Sequence, residues 1–160
     1  MDFGKAMPPQ TGPLANSSIL CYCYQKNRPH MTPPEKTVLI IEDEADAAEL
    51  FAEMMRVSGF RVLKTSSSIP AIAMMTAEKP DIILLDIMMP DISGLDILRQ
   101  MRRDPALANI PVVVVTAKSM PADIKNGMEA GASTYLTKPV GFLELKEAVE
   151  HALGGQSTAI

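Results

Sequence analysis

At 160 residues the chain suits one domain with a modest extension, and 47% apolar residues are enough for a genuine core. Aromatic residues make up 4% and Trp is absent, so that core must be aliphatic. A net charge of −4, with both signs mixed along the chain, lacks the basic stripe that favours nucleic acid.

Residues 1–35 hold Pro8-Pro9, Pro13, Pro29 and Pro33-Pro34 and keep no sustained period of 2 or 3.6, so they read as a disordered leader, a tag or an extended start. Their longest apolar stretch, Ile19 to Tyr24, is too short for a signal h-region or a membrane span. Cys21 and Cys23 are too close to bridge readily and have no second pair to complete a zinc site. No Cys follows Met31, which suits a reducing cytosol, and the expected location is cytoplasmic. Lys5, Lys26 and Arg28 against Asp2 leave the remainder at −6, an acidic folded part.

The regular pattern runs over residues 36–153. Thr37 to Ile41 is a continuous apolar run, as for a strand buried on both faces. Ala45 to Val57 has helical spacing, with Leu50, Phe51, Met54, Met55 and Val57 as its apolar set, and Gly59 marks its stop. Phe60 to Lys64 reads as a second strand, and Ile69 to Glu78 as a helix ended by Pro80. Asp81 to Asp86 is the third strand and Leu95 to Arg102 the third helix. Pro111 to Thr116, β-branched almost throughout, is the fourth strand. Asp123 to Ala130 is a helix closed by Gly131, Ser133 to Thr137 the fifth strand, and Phe142 to Leu153 the last helix. Residues 154–160 read as a flexible tail, suiting either a stand-alone switch with no attached output domain or a linker in a larger regulator or hybrid kinase.

Five alternations with short connections predict right-handed crossovers: a doubly wound α/β fold with a five-stranded parallel sheet. Ligands of such sheets sit at the carboxyl ends of the strands. Glu42-Asp43 close the first strand, Asp86 the third and Thr116 the fourth, while the fifth leads into Lys138-Pro139. Each alone is ordinary, because an Asp after a strand caps helices, a Thr forms strands and a Lys is solvated. Together they place three carboxylates on one edge, where mutual repulsion calls for a cation. Mg²⁺ fits this all-oxygen set, which lacks the His and Cys that zinc favours. An Asp can also attack phosphorus to form an acyl phosphate, a transfer that needs little beyond positioning and charge neutralisation.

Glu42-Asp43, Asp86 followed by Met89-Pro90 and Gly94, then Thr116-Ala117, Tyr135 and Lys138-Pro139 resemble the response-regulator receiver family from about Lys36 to Leu153. That resemblance implies a flavodoxin-like fold with strand order 2-1-3-4-5. It implies that Glu42, Asp43, Asp86 and the Met88 backbone carbonyl hold Mg²⁺, and that Asp86 accepts a phosphoryl group from a histidine kinase or phosphotransfer protein. Thr116 and Lys138 would then bond phosphoryl oxygens, and Tyr135 would swing inward with Thr116. The Lys138–Pro139 bond would be cis, aiming the lysine inward. Met88 stands where many members carry a polar side chain, a departure that bears on the dephosphorylation rate.

A phosphatase built on an Asp nucleophile needs a second Asp two residues on, and Met88 occupies that place. The expected protein is therefore a switch, catalysing only its own phosphorylation and dephosphorylation. Its output face would be the fourth helix, fifth strand and fifth helix, exposing Lys118, Lys125, Glu129 and Tyr135. That face would bind a downstream protein or a second copy, and neither nucleic acid nor membrane is expected as a direct partner. Arg99, Arg102 and Arg103, beside Asp96 and Asp104, read as a solvated helix face. Met54-Met55 and Met74-Met75 read as core and near-core filler.

Overall fold

The computed structural model describes residues 35–154, so the readings of the leader, its two cysteines and the tail fall almost wholly outside the described residues. Five strands and five helices alternate: β1 (Thr37–Ile41), α1 (Ala45–Val57), β2 (Arg61–Thr65), α2 (Ser68–Glu78), β3 (Ile82–Leu85), α3 (Gly94–Arg103), β4 (Val112–Thr116), α4 (Pro121–Glu129), β5 (Thr134–Thr137) and α5 (Phe142–Gly154). All neighbouring strands pair in parallel, in the order β2-β1-β3-β4-β5. Among the described residues no helix is long and apolar enough to cross a membrane.

Side chains alternate between the faces of a strand, and here both faces are dry. Leu39, Ile41, Ile83, Leu85, Val112 and Val114 pack on one side with Met75 of α2 and Ile97, Leu98 and Met101 of α3. Val38, Ile40, Ile82, Leu84, Val113 and Val115 pack on the other with Phe51, Ala52 and Met55 of α1 and Leu145 and Val149 of α5. The same parity carries on past the strand ends. Glu42, Asp86 and Lys138 continue the α1/α5 series, whereas Thr116 and Tyr135 belong to the series facing α2 and α3.

Several boundaries and faces differ from the sequence reading. Leu50 and Val57 face solvent, at 53% and 75% exposure, and Ala48 and Ala52 complete the buried stripe of α1 instead. Small residues let this helix lie close to the sheet, which a search for large apolar side chains overlooks. Met55 and Met75 are fully buried, with Met54 and Met74 at the margins of the two cores. Pro121 opens α4 two residues before the expected start, because a first-turn Pro loses no helical hydrogen bond. Lys79, just before Pro80, ends α2 in the left-handed region at φ 45°, since the following proline disfavours the right-handed helical region there.

Arg102 also departs from its expected place. It is not part of a solvated face: its guanidinium turns under the sheet and donates to the carbonyls of Gly131 (2.8 and 3.0 Å), Ala108 (3.0 Å) and Ile110 (2.9 Å). Arg99 alone makes the expected surface pair, with Asp96 at 3.0 Å.

Candidate functional site

The site is built where the apolar strands run out. β1 and β3 are wholly buried, and the next residue on each, Glu42 and Asp86, remains buried at 3% and 5% exposure. Two carboxylates so placed need a partner, and Lys138 supplies it. Its Nζ donates to Glu42 Oε2 at 2.7 Å and to Asp86 Oδ2 at 2.9 Å. The ring of Phe51, from α1, lies 5.9 Å from the same nitrogen, within cation–π reach. The Lys138–Pro139 peptide bond is cis.

Backbone amides fix the other oxygens. The Met88 N–H donates to Asp86 Oδ1 at 2.8 Å, and the Glu44 N–H donates to Glu42 Oε1 at 3.2 Å. Asp43 is exposed, yet one oxygen from each of Glu42, Asp43 and Asp86 lies within 4.8 Å of the others. One ammonium thus bridges two of three clustered carboxylates. Burial, ahead of every other influence, raises the Glu42 pKa; Lys138 lowers it and Asp86 raises it further. Burial pulls the Lys138 pKa down, but its hydrogen bonds to Glu42 and Asp86 outweigh that and leave it raised. The two directions look opposed for one ion pair. They are compatible because Lys138 divides its charge between two acceptors while Glu42 is almost sealed from water.

Gly94, the first residue of α3, makes this approach possible. A Cβ there would sit 2.4 Å from the Asp86 carbonyl oxygen and 2.7 Å from Ile87 Cα, so α3 presses directly on the backbone of the carboxylate-bearing segment.

On the other parity series, Thr116 is fully buried, and its Oγ1 accepts a long 3.5 Å bond from the Lys118 N–H. The Tyr135 hydroxyl donates to the Lys118 carbonyl at 3.0 Å, and its ring occupies the space over Gly127 that a Cβ would fill, 2.6 Å from two ring carbons. Burial raises the Tyr135 pKa, helped by Asp123 and Asp86. Lys118, Lys125 and Glu129 are exposed, but Tyr135 is half-buried rather than exposed, because Gly127 lets the ring sink against α4.

The structure therefore gathers Glu42, Asp43, Asp86 and Lys138 at one point, with Met88 contributing through its backbone. Thr116 joins them through the chain, its carbonyl accepting from the Lys138 N–H at 2.8 Å. Sequence reasoning missed Phe51, the Met88 amide and Gly127. The last carried a signal: a helix-interior glycine costs about 1 kcal/mol relative to Ala unless something packs against it. An open groove of about 420 Å³, lined by Asp43, Ile87, Met88, Pro90 and Lys118 among others, leads from solvent to this corner.

A family model described as the response regulator receiver domain matches residues 38–150. The phosphate regulon transcriptional regulatory protein PhoB of Pseudomonas aeruginosa is 38% identical over 110 residues, 69% of this chain and 48% of its own length. The polar-differentiation response regulator DivK of Brucella ovis is 33% identical over 119 residues, 74% of this chain and 97% of its own. The chain thus spans about half the length of the first and nearly all of the second. Among solved structures, the receiver domain of a sensor histidine kinase from Pseudomonas aeruginosa PAO1 is similar at 26% identity and a TM-score of 0.70, covering 76% of this chain and 99% of that one. That structure has a magnesium ion coordinated in its active site cleft.

Proposed function

The chain belongs to the response regulator receiver domain family, and from that premise we propose that Asp86 is its phosphoacceptor. The observation that carries this reading is Lys138 bridging two buried carboxylates beside a third that is open to solvent. Such an arrangement is poor as a structural ion pair, since it leaves anionic charge uncompensated. It is well suited to a site that receives a cation and then a phosphoryl group.

An Asp86 carboxylate oxygen attacks phosphorus as the donor's P–N bond breaks, the proton-bearing imidazole of a phosphohistidine leaving from the opposite side. Water later attacks the same phosphorus, releasing inorganic phosphate and restoring the carboxylate. The donor is a histidine kinase or a phosphotransfer protein, approaching by the groove beside Met88 and Pro90. Glu42, Asp43, Asp86 and the Met88 carbonyl would hold Mg²⁺, which supplies neutralisation between these carboxylates and the phosphoryl oxygens. The all-oxygen, three-carboxylate donor set fits that ion.

Once Asp86 carries phosphate, Lys138 turns from Asp86 Oδ2 to a phosphoryl oxygen, and the Thr116 hydroxyl donates to another. The Thr116 hydroxyl is linked to the Lys118 N–H by a long bond, and the Lys118 carbonyl holds the Tyr135 hydroxyl. The response thus travels along β4 and β5 to the face formed with α4 and α5. Met120 at the N-cap of α4, with Ile124 and Met128 on the helix, lie exposed four residues apart, an apolar edge for a downstream protein or a second copy of the chain. The protein works in the cytoplasm as a switch, turning over no external substrate. Intact mass after incubation with phosphoramidate tests the reading: a gain of one phosphoryl group with Mg²⁺ and none with chelator is expected. Equal labelling in both would refute the metal's part in it.

A further inference from the structure

The segment that presents Asp86 is a loop, 86–93, and it is held at two places. At its base the Gly94 N–H donates to the Ile87 carbonyl at 3.3 Å, with Gly94 pressed on the Asp86 backbone. At its tip Asp91 reaches across to α2. Asp91 Oδ2 accepts from the Ser68 N–H at 2.8 Å and from the Ser67 hydroxyl at 2.9 Å, while Oδ1 accepts from the Ser68 hydroxyl at 2.8 Å. Ser68 is fully buried, and its hydroxyl also lies 3.1 Å from the Ile92 carbonyl.

A helix start leaves backbone N–H groups without partners and carries the positive end of the helix dipole. A Ser, Thr, Asp or Asn at the N-cap can meet this need locally, although none of the N-cap side chains of α1 to α4 does so here. Ser67 holds the N-cap position of α2 but makes no side-chain capping bond of its own. Its hydroxyl is turned toward Asp91 instead. The cap thus comes from a residue over twenty positions later, on the loop that bears Asp86. A carboxylate spent in this way ties the position of that loop to the start of α2. Bonds from Ser68 and from the Ile92 N–H hold Asp91 far below the usual carboxylate range, so the clasp stays charged at working pH.

We propose that Asp91 is a positioning residue for the phosphoryl-transfer site, holding loop 86–93 so that the Met88 backbone faces Asp86. The proposal rests on Asp86 being the phosphoacceptor. Only Met89 and Pro90 separate Met88 from Asp91, and Pro90, with its fixed φ, stiffens the link between them. With the clasp intact, the Met88 N–H stays on Asp86 Oδ1, leaving Oδ2 to Lys138. With the Asp91 carboxylate gone, the tip of the loop keeps only the Ser68 hydroxyl on the Ile92 carbonyl, and although Ile87 and Met89 stay buried the Met88 amide between them can drift from Asp86. Misplacement of a reacting group by about 1 Å can cost up to about a hundredfold in rate, so a loosened loop should be visible in kinetics.

The test compares full-length wild-type chain with Asp91→Ala, Asp91→Asn and the double variant Ser67→Ala/Ser68→Ala. Each is followed by the Met88 backbone amide resonance in ¹H–¹⁵N NMR, by Mg²⁺ titration, and by the saturation kinetics of labelling with phosphoramidate. In Asp91→Ala the Met88 amide should move upfield with weakened hydrogen bonding, while amides of β1, β3 and β4 stay in place. The maximal labelling rate should fall roughly tenfold, a partial form of that misplacement cost. Asp91→Asn, which keeps one acceptor oxygen, should recover part of both. Should Asp91→Ala fail to fold, the double serine variant loses the two hydroxyl bonds to Asp91 and keeps the backbone N–H of residue 68 on it, and it must show a smaller amide shift in the same direction. An unmoved Met88 amide and an unchanged maximal rate, in whichever of these variants folds, would overturn the proposal. Labelling of Asp86→Asn at the wild-type rate would instead strike the phosphoacceptor reading, leaving the amide shift to judge the clasp by itself.

Discussion

The two ends of one sheet handle charge in opposite ways. At the amino ends of the strands, Asp81 Oδ2 accepts the Thr37 N–H at 2.7 Å, and Arg102 spreads its donors over three backbone carbonyls. Each charge there meets the backbone groups that need it. At the carboxyl ends, three carboxylates crowd together with one ammonium bridging two of them, and burial drives the Glu42 pKa upward. The first end is built for stability. The second holds more anionic charge than its one bound ammonium offsets, which suits the reaction proposed for it.

That contrast can be broken by removing the single cation from either end. Lys138→Met strands Glu42 and Asp86 as buried carboxylates without a partner, and in chelator it should cost about 3 kcal/mol of folding stability. Added Mg²⁺ should return a good part of that loss, read as the denaturation midpoint with and without the ion. Arg102→Met leaves the Ala108, Ile110 and Gly131 carbonyls short of donors, at a cost of about 2 kcal/mol. Mg²⁺ should restore none of it. Recovery of Arg102→Met by Mg²⁺ would erase the distinction between the ends.

A smaller effect sharpens the comparison through pH. The folded-state pKa of Glu42 lies above its unfolded value of 4.5, chiefly through burial. The stability linked to protonated Glu42 is therefore complete below about pH 4.5 and is lost as pH rises through the folded value. Glu42→Gln, which keeps an acceptor for Lys138 but no charge, should match wild type in acid and exceed it increasingly toward neutral pH. Urea midpoints in chelator across that range measure the difference, and a constant offset at all pH values would contradict it.

Much of this was legible in the sequence. β1, β3 and β4 announce themselves as apolar runs, and the residue at which each run meets charge is the site residue: Glu42, Asp86 and, by hydroxyl, Thr116. Period-2 alternation, read past the strand ends, separates Glu42, Asp86 and Lys138 from Thr116 and Tyr135. What stayed hidden depends on contacts distant in sequence. Arg102 resembles any arginine on a charged helix until Gly131, twenty-nine positions on, brings its carbonyl beneath it. Nothing in the sequence singles out Asp91, whose partners Ser67 and Ser68 lie more than twenty positions earlier. Phe51 counts as core by its spacing, and only the fold sets its ring against Lys138. Leu50 and Val57 misled because the eye gives large apolar residues to the core, whereas Ala48 and Ala52 let α1 approach.

The most direct measurement is intact mass and peptide mapping of wild type and Asp86→Asn after phosphoramidate with saturating Mg²⁺. One phosphoryl group on the wild-type peptide that contains Asp86, and none on Asp86→Asn, is the predicted result. A phosphoryl group retained by Asp86→Asn, or mapped in wild type to Glu42 or Asp43, would contradict the account.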